Sequence, residues 1–381
     1  MGYPVITKSL CRTNRTIRGV QKEDRKQYKR VRGGSAKAKI YKVVKLNEGS
    51  SFVNLDIKQQ EEKVQKEKIQ KEKVLHDMKS EGPNFDSILA TIQDNNLEGL
   101  SGGGYRVADK IRTLIESKES KRILLVNGVE CDPGLIHDLW LMKNRFEDIK
   151  EGIEVLNSYI GFNSIIIATK AFKKSEGKIR IVQVPNRYPM GEEHMLIEFV
   201  IGKKLEREEI PAKHGILTMN IQTVYTMGQI MKNGYNNTGR YLTVANLFTS
   251  QATVVRAPYG MSIRTLLEKI YGKQAALAAY CGGGAMNAHP VIEGECVDVH
   301  TNFVGYQEPI RFNNQNPCKN CGACARKCPA QIPVNAIVKA VERGNKEDAQ
   351  SKLTNTCIKC GSCTYYCRAN KNVMEIIESV K

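Results

Sequence analysis

The sequence predicts a doubly wound α/β layer, a small α+β module after it, and a helical domain built around cysteines. Three observations predict this. Continuous apolar strands alternate with amphipathic helices from about residue 85 to 235. Paired strand patterns with one helix occupy residues 236–304. Two cysteine runs of identical spacing then fall within residues 305–381.

Length and charge bound the rest. A chain of 381 residues, 41% hydrophobic, suggests two to four domains with a real core. No apolar run approaches the roughly 20 residues that span a bilayer. The start, Met1-Gly2-Tyr3-Pro4, lacks signal-peptide grammar. The expected location is therefore the cytoplasm, or the periphery of the membrane on its cytoplasmic face. The formal charge is +18, and residues 1–80 hold 21 Lys and Arg against 9 Asp and Glu. Residues 1–84 read as a basic arm and charged linker. The arm suggests docking to an acidic surface on a protein partner. Nucleic acid is disfavoured because no nucleic-acid module accompanies the charge and aromatics are sparse there. The plain alternative is a solvated tail.

The elements follow in order. Lys39–Val44 is a short strand pattern within the arm. Residues 62–76 repeat every five residues, a step of about 500° on a helix, so Val64, Ile69 and Val74 spiral instead of forming a stripe. A charged helix or linker results. Gly99-Leu100-Ser101-Gly102-Gly103-Gly104-Tyr105 is a glycine loop that opens a helix with Val107, Ile111, Leu114 and Ile115 on one face. Ile123–Val126 is a buried strand that runs into Asn127, Glu130 and Cys131. A helix carrying Phe146, Ile149, Ile153 and Leu156 follows. Then come strands at 165–167 and 179–184, a helix after Gly191, and a short strand into Asn220. Ligands in such sheets bind at the carboxyl ends of strands, near which these loops lie. In the next module, strands at 241–244 and 252–257 precede a helix with Ile263, Leu266, Leu267 and Ile270.

Cys318, Cys321, Cys324 and Cys328 stand at C-x2-C-x2-C-x3-C before Pro329, and Cys357, Cys360, Cys363 and Cys367 repeat the spacing. This is the bacterial ferredoxin run, which holds two [4Fe–4S] clusters, the fourth cysteine of each run reaching the other cluster. One cluster then takes Cys318, Cys321, Cys324 and Cys367; the other takes Cys357, Cys360, Cys363 and Cys328. Two runs in register, with Gly322 and Gly361 after each second cysteine, disfavour zinc or a disulfide framework. The remaining cysteines (Cys11, Cys131, Cys281, Cys296) are scattered. Cys131, Cys281 and Cys296 read as packed side chains, Cys131 alone having a redox-thiol alternative. The six histidines show no zinc or haem spacing and read as structural.

Together these residues resemble the Rnf-complex C-subunit family, with the related cobalamin reductase and proline-reductase electron-transfer proteins. They also resemble the flavin-bearing NADH dehydrogenase subunit of respiratory complex I. The resemblance covers roughly residues 95–381. It rests on the loop Gly99–Tyr105 with Lys110, on Asn127, Glu130 and Pro133, on Gly191, Glu192 and Glu193 after Tyr188-Pro189, and on Asn220 with Thr223. It implies that Gly99, Gly102, Gly103, Gly104, Lys110, Asn127, Glu130, Gly191, Glu192, Glu193, Asn220 and Thr223 surround FMN, with NADH stacking on it. It also implies that residues 236–304 form a β-grasp-like module. Ser101 and Arg106 depart from the family loop, which usually has Gly and Pro there.

Glycines give a flavin phosphate close access to backbone N–H groups, and a helix N-terminus near Arg106 adds partial positive charge. The bland alternatives are a solvated Lys110 and surface or capping roles for Glu130 and Glu193. The implied function is an oxidoreductase subunit passing electrons between NADH and FMN, two [4Fe–4S] clusters and other redox subunits, such as a soluble amino-acid reductase. The alternative is a non-catalytic wiring subunit with a degenerate flavin site.

Overall fold

In the computed structural model, residues 52–54 and 85–381 are described, apart from 102, 131, 172–174, 234–235, 308–310 and 355. The strand expected at 39–44, the repeat at 62–76, Cys11, Gly102 and Cys131 lie outside the described residues.

A short strand, β1 (Phe52–Asn54), comes first and belongs to the second sheet described below. The α/β layer then runs through α1 (Phe85–Asp94), α2 (Val107–Glu116), β2 (Ile123–Gly128), α3 (His137–Asn144), α4 (Phe146–Ile160), β3 (Ser164–Thr169), β4 (Ile179–Gln183), α5 (Glu193–Ile201), β5 (Ile216–Asn220) and α6 (Ile221–Asn233). Four strands lie in the order β4-β3-β2-β5, and every pair is parallel. Both faces are covered, which explains the unbroken apolar strands. Leu125 and Ile166 pack on Leu196 and Ile197 of α5. Leu124, Val126, Ile165 and Ile167 join the core formed by Ile149 and Ile153 of α4 with Val224 and Met227 of α6. Helices α4 and α6 cross at glycines: a methyl on Gly152 would sit 2.3 Å from the Val224 carbonyl oxygen.

The second unit comprises β6 (Gly239–Asn246), β7 (Gln251–Pro258), α7 (Ile263–Tyr271), α8 (Lys273–Leu277), β8 (Ala279–Gly282), β9 (His289–Pro290) and β10 (Phe303–Tyr306). Its sheet is mixed, in the order β1-β7-β6-β10-β8-β9. A β6–β7 hairpin pairs in parallel with β10, which pairs antiparallel with β8. Helix α7 crosses this sheet through Ile263, Leu266 and Leu267, against Leu242, Val244, Val255 and Val304. This is the β-grasp-like arrangement. One correction concerns the arm: Phe52 pairs with Val254 and Asn54 with Arg256, so part of residues 1–84 is an edge strand of this sheet. Three residues carry too little periodicity to announce a strand.

The third unit holds α9 (Ala323–Arg326), α10 (Val334–Glu342), α11 (Lys346–Lys352), α12 (Ser362–Tyr365) and α13 (Val373–Val380). The expected faces are inward at Val334, Ile337 and Val338 and at Val373, Ile377 and Val380. Val341 and Ile376 are only partly buried. The repeat in sequence is a repeat in backbone. Asn320, Gly322 and Gln331 have positive φ, and so do Lys359, Gly361 and Asn370 at the corresponding places. Glycine at 322 and 361 permits the left-handed turn that starts α9 and α12.

Candidate functional site

The sheet order reverses at β2: β3 and β4 lie to one side of it and β5 to the other. The crevice outside the carboxyl ends of β2 and β5 is therefore the topological switch point, where open α/β sheets bind ligands. Asn127 and Asn220 are register partners at its mouth. The Asn127 amide donates to the Gly191 carbonyl at 2.8 Å, and its Oδ1 accepts from Val129 N–H at 3.1 Å. From α2, Lys110 Nζ donates to Glu193 Oε1 at 3.0 Å and to the Thr218 carbonyl at 3.3 Å. The same Nζ lies 5.7 Å from the centre of the Tyr105 ring, and Tyr105 is 61% exposed. Lys110, Asn127, Gly191 and Glu193 thus converge on one crevice.

The glycine loop is clamped at its base. Gly99 N–H donates to the Tyr105 carbonyl at 2.7 Å, and Val107 N–H to the Leu97 carbonyl at 3.1 Å. Leu100 N–H donates to Thr223 Oγ1 at 2.9 Å, which ties the loop to α6. A methyl on Gly103 would meet nothing within 4 Å, so its backbone faces open space. A methyl on Gly104 would lie 2.3 Å from the His300 ring, so the loop presses on the β-grasp-like module. Arg240 of β6, 1% exposed, holds the loop from that side. It donates to the Leu100 carbonyl at 2.9 Å, and also to the Val299 carbonyl and Asn302 Oδ1. Sequence reasoning missed Arg240, since a lone arginine in a strand pattern signals nothing.

Three expected residues are engaged in the scaffold. Glu130 accepts from Asp138 N–H at 2.9 Å and Leu139 N–H at 3.0 Å, which secures the first turn of α3. Glu192 caps α5 by accepting from Met195 N–H, and pairs with Arg207. Asn220 donates to Asp138 Oδ2 at 2.8 Å and accepts from Gln222 N–H at 2.8 Å. Behind the crevice sits a buried polar group that no sequence pattern announces. His137 Nδ1 lies 3.0 Å from Thr243 Oγ1 and 3.6 Å from Glu130 Oε1. Burial, then the neighbouring Asp138 carboxylate, pushes Glu130 up to about 8. Burial raises Asp138 to about 6, and burial with Arg240 lowers His137 to about 3. A cleft of about 850 Å³, lined by Lys143, Lys170, Asn186 and Phe199, contains no residue of the expected flavin set but adjoins it, because Lys170 Nζ donates to the Glu130 carbonyl at 2.9 Å.

The cysteines meet as the spacing requires. Cys324 lies within electrostatic reach of Cys318 and of Cys367, the fourth cysteine of the other run. Cys363 feels Cys360, Cys357 and Cys328. One apolar cavity is lined by Cys328, Cys357, Cys360 and Cys363 together. Burial pushes the Cys324 thiol up to about 11 and raises Cys360 and Cys363 as well. Thiols gathered this tightly fit metal: binding displaces their protons and pairs the thiolates. The four-sulfur sets therefore fit [4Fe–4S] clusters. The cation at Lys110, the amide of Asn127, the open backbone at Gly103 and the exposed Tyr105 ring fit a flat ligand bearing a phosphate.

Residues 92–229 match the Nuo51 FMN-binding domain, and residues 310–368 match the 4Fe-4S dicluster domain. The C-subunit of the ion-translocating oxidoreductase complex of Pseudomonas aeruginosa is 26% identical over 273 residues, covering 67% of this chain and 34% of that protein. The chain is thus similar to the Rnf-type C-subunit. The Rhodobacter capsulatus C-subunit is 23% identical, covering 71% of this chain and 55% of its own. The cobalamin reductase PduS of Salmonella typhimurium is 24% identical, with 65% and 58% covered. The chain thus spans between about a third and somewhat over half of these Rnf-type relatives and the reductase. A crystal structure of an NAD+-reducing [NiFe]-hydrogenase shares the fold, with a TM-score of 0.56 over 78% of this chain and 64% of that one, at 17% identity. Two segments of the chain thus match cofactor-binding domains, one for FMN and one for a pair of [4Fe–4S] clusters. No helix among the described residues is long and apolar enough to cross a membrane.

Proposed function

We propose that the chain passes electrons between NADH and a partner reductase, through FMN at the β2–β5 switch point and two [4Fe–4S] clusters. FMN supplies the exchange between a two-electron hydride and the one-electron clusters. The observation that carries this reading is the loop 188–193. Its Gly191 carbonyl takes the Asn127 amide, and its Tyr188 hydroxyl donates to the Cys360 carbonyl at 2.7 Å. One stretch of chain thus touches both the crevice and a cluster-ligand run. Lys110 would hold the flavin's anionic end, with the Gly99–Gly104 backbone beside it. Asn127 and Glu193 would orient the ring edge. Glu130, Asn220 and Thr223 would act behind them by fixing α3, the β5–α6 turn and the loop.

The partner follows from charge. The basic arm suits an acidic docking face on another redox subunit, with a soluble amino-acid reductase such as proline reductase as one such class. Localisation in the cytoplasm, or at the cytoplasmic face of a membrane, is part of this reading. A second reading, a wiring subunit without flavin, is favoured by Ser101 and Arg106 in the loop and by the existing Lys110–Glu193 pair. Anaerobic purification with extraction of flavin and iron analysis separates the two. About one FMN with about eight irons per chain, and NADH-driven reduction of a one-electron dye, are expected. Eight irons without flavin would leave only the wiring role.

A further inference from the structure

A second group of metal-binding side chains lies outside both cluster sets. The antiparallel β8–β9 pair sets Cys281 opposite His289, and the turn after β9 returns Glu295 beside them. Cys281 Sγ is 3.6 Å from His289 Nε2, which is 2.7 Å from Glu295 Oε1. These three donor atoms all lie within 4.8 Å of one another. They border a cavity of about 260 Å³ between the β-grasp-like module and the dicluster unit, with Lys359 and Gly361 on its far wall. Cys296 lines the same cavity. So does Asn287, whose buried Oδ1 has no hydrogen-bond partner.

Thiolate, imidazole and carboxylate together suit a borderline-soft divalent ion; calcium and magnesium prefer oxygen alone. Zinc bonds of about 2.3 Å to sulfur and 2.0 Å to nitrogen, at a tetrahedral angle, hold the two donors about 3.5 Å apart. The Cys281–His289 separation already matches. The Glu295 oxygen needs to move back by roughly half an ångström, replacing its hydrogen bond with a bond to the ion. One thiolate and one carboxylate also neutralise a divalent charge, so the loaded site is neutral.

We propose that Cys281, His289 and Glu295 bind a zinc ion, with the fourth coordination position open to the cavity. This role for Cys281 and His289 departs from the expectation that the first is packed and the second structural. The bland competitor is a hydrogen-bonded trio that only pins the 292–295 turn, since Glu295 Oε2 also accepts from Ile292 N–H at 3.0 Å.

The test uses the full chain, purified anaerobically with both clusters loaded, exposed to one equivalent of zinc sulfate and dialysed. About one zinc per chain is expected beside an unchanged iron content. The zinc X-ray absorption spectrum should show one sulfur with nitrogen and oxygen neighbours. Cys281→Ser and His289→Ala should each weaken zinc retention at least about tenfold, measured against a chromophoric chelator, at unchanged iron. Glu295→Gln, a change at a half-buried position, serves should either of those lose iron through misfolding. Zinc absent after dialysis overturns the proposal. So does a four-sulfur spectrum, which places the ion in a cluster site, or equal retention in Glu295→Gln and the parent.

Discussion

At the scale of single residues, the buried polar group behind the crevice sets a pH dependence. Glu130 is raised from 4.5 to about 8, first by burial and then by Asp138. Between those values the folded protein keeps a proton the unfolded chain has released, so rising pH destabilises by up to about 1.4 kcal/mol per unit. His137 is lowered from 6.5 to about 3 by burial and Arg240, so it acts in the opposite sense between those two values. Of the three buried groups, only Glu130 still titrates from pH 6.5 to about 8. Across that interval the melting temperature of the anaerobic protein should fall relative to that of Glu130→Gln; a constant difference between the two assigns the dependence elsewhere. The resemblance pointed to position 130, but only the fold shows that its carboxylate holds the α3 backbone. Tyr188 is a different case. Tyr188→Phe removes one hydrogen bond to Cys360, and should slow NADH-driven dye reduction severalfold while flavin and iron stay constant.

At the scale of elements, cysteine spacing predicts crossed cluster ligation, because a tight turn presents three thiolates to one cube and sends the fourth away. Paired substitutions measure it. Cys318→Ser with Cys367→Ser should leave about four irons per chain, since both serve one cluster. Cys318→Ser with Cys357→Ser should leave almost none. Equal iron in the two double variants would refute crossed ligation. The α4–α6 crossing makes a separate prediction. Gly152→Ala places a methyl 2.3 Å from the Val224 carbonyl, so the helices must part, at a cost of about 1–3 kcal/mol readable in the melting temperature. That crossing was not legible: a glycine inside an amphipathic helix looks the same whether its neighbour is a helix or solvent. Helix α3 was missed for a related reason, because His137 and Asp138 take buried positions and break its apolar period.

At the scale of the whole molecule, the units meet where electrons would have to cross. Tyr188 links the α/β layer to the second cysteine run, and a methyl on Gly361 would lie 2.5 Å from the Met286 carbonyl of the β-grasp-like unit. Arg240 joins that unit to the glycine loop. Charge is distributed differently, most of the excess lying before β1. Removing residues 1–50, which spares β1, should leave flavin, iron and melting temperature unchanged while weakening docking to an acidic partner and flattening its salt dependence. Removing residues 1–84 takes β1 from the sheet edge and should also lower the melting temperature. Identical melting temperatures for the two truncations would deny β1 a stabilising part.

The sequence alone determined the cluster chemistry, the α/β layer and the identity of the glycine loop, because each rests on local spacing: thiolates a fixed step apart, apolar runs of strand length, glycines before a helix. The tertiary structure decided which carboxylates face the crevice and which hold helices, that Arg240 grips the loop, and that Cys281, His289 and Glu295 share one corner of a cavity. Those facts depend on sheet order and strand register, which join positions far apart in the chain, and no local pattern encodes such a meeting.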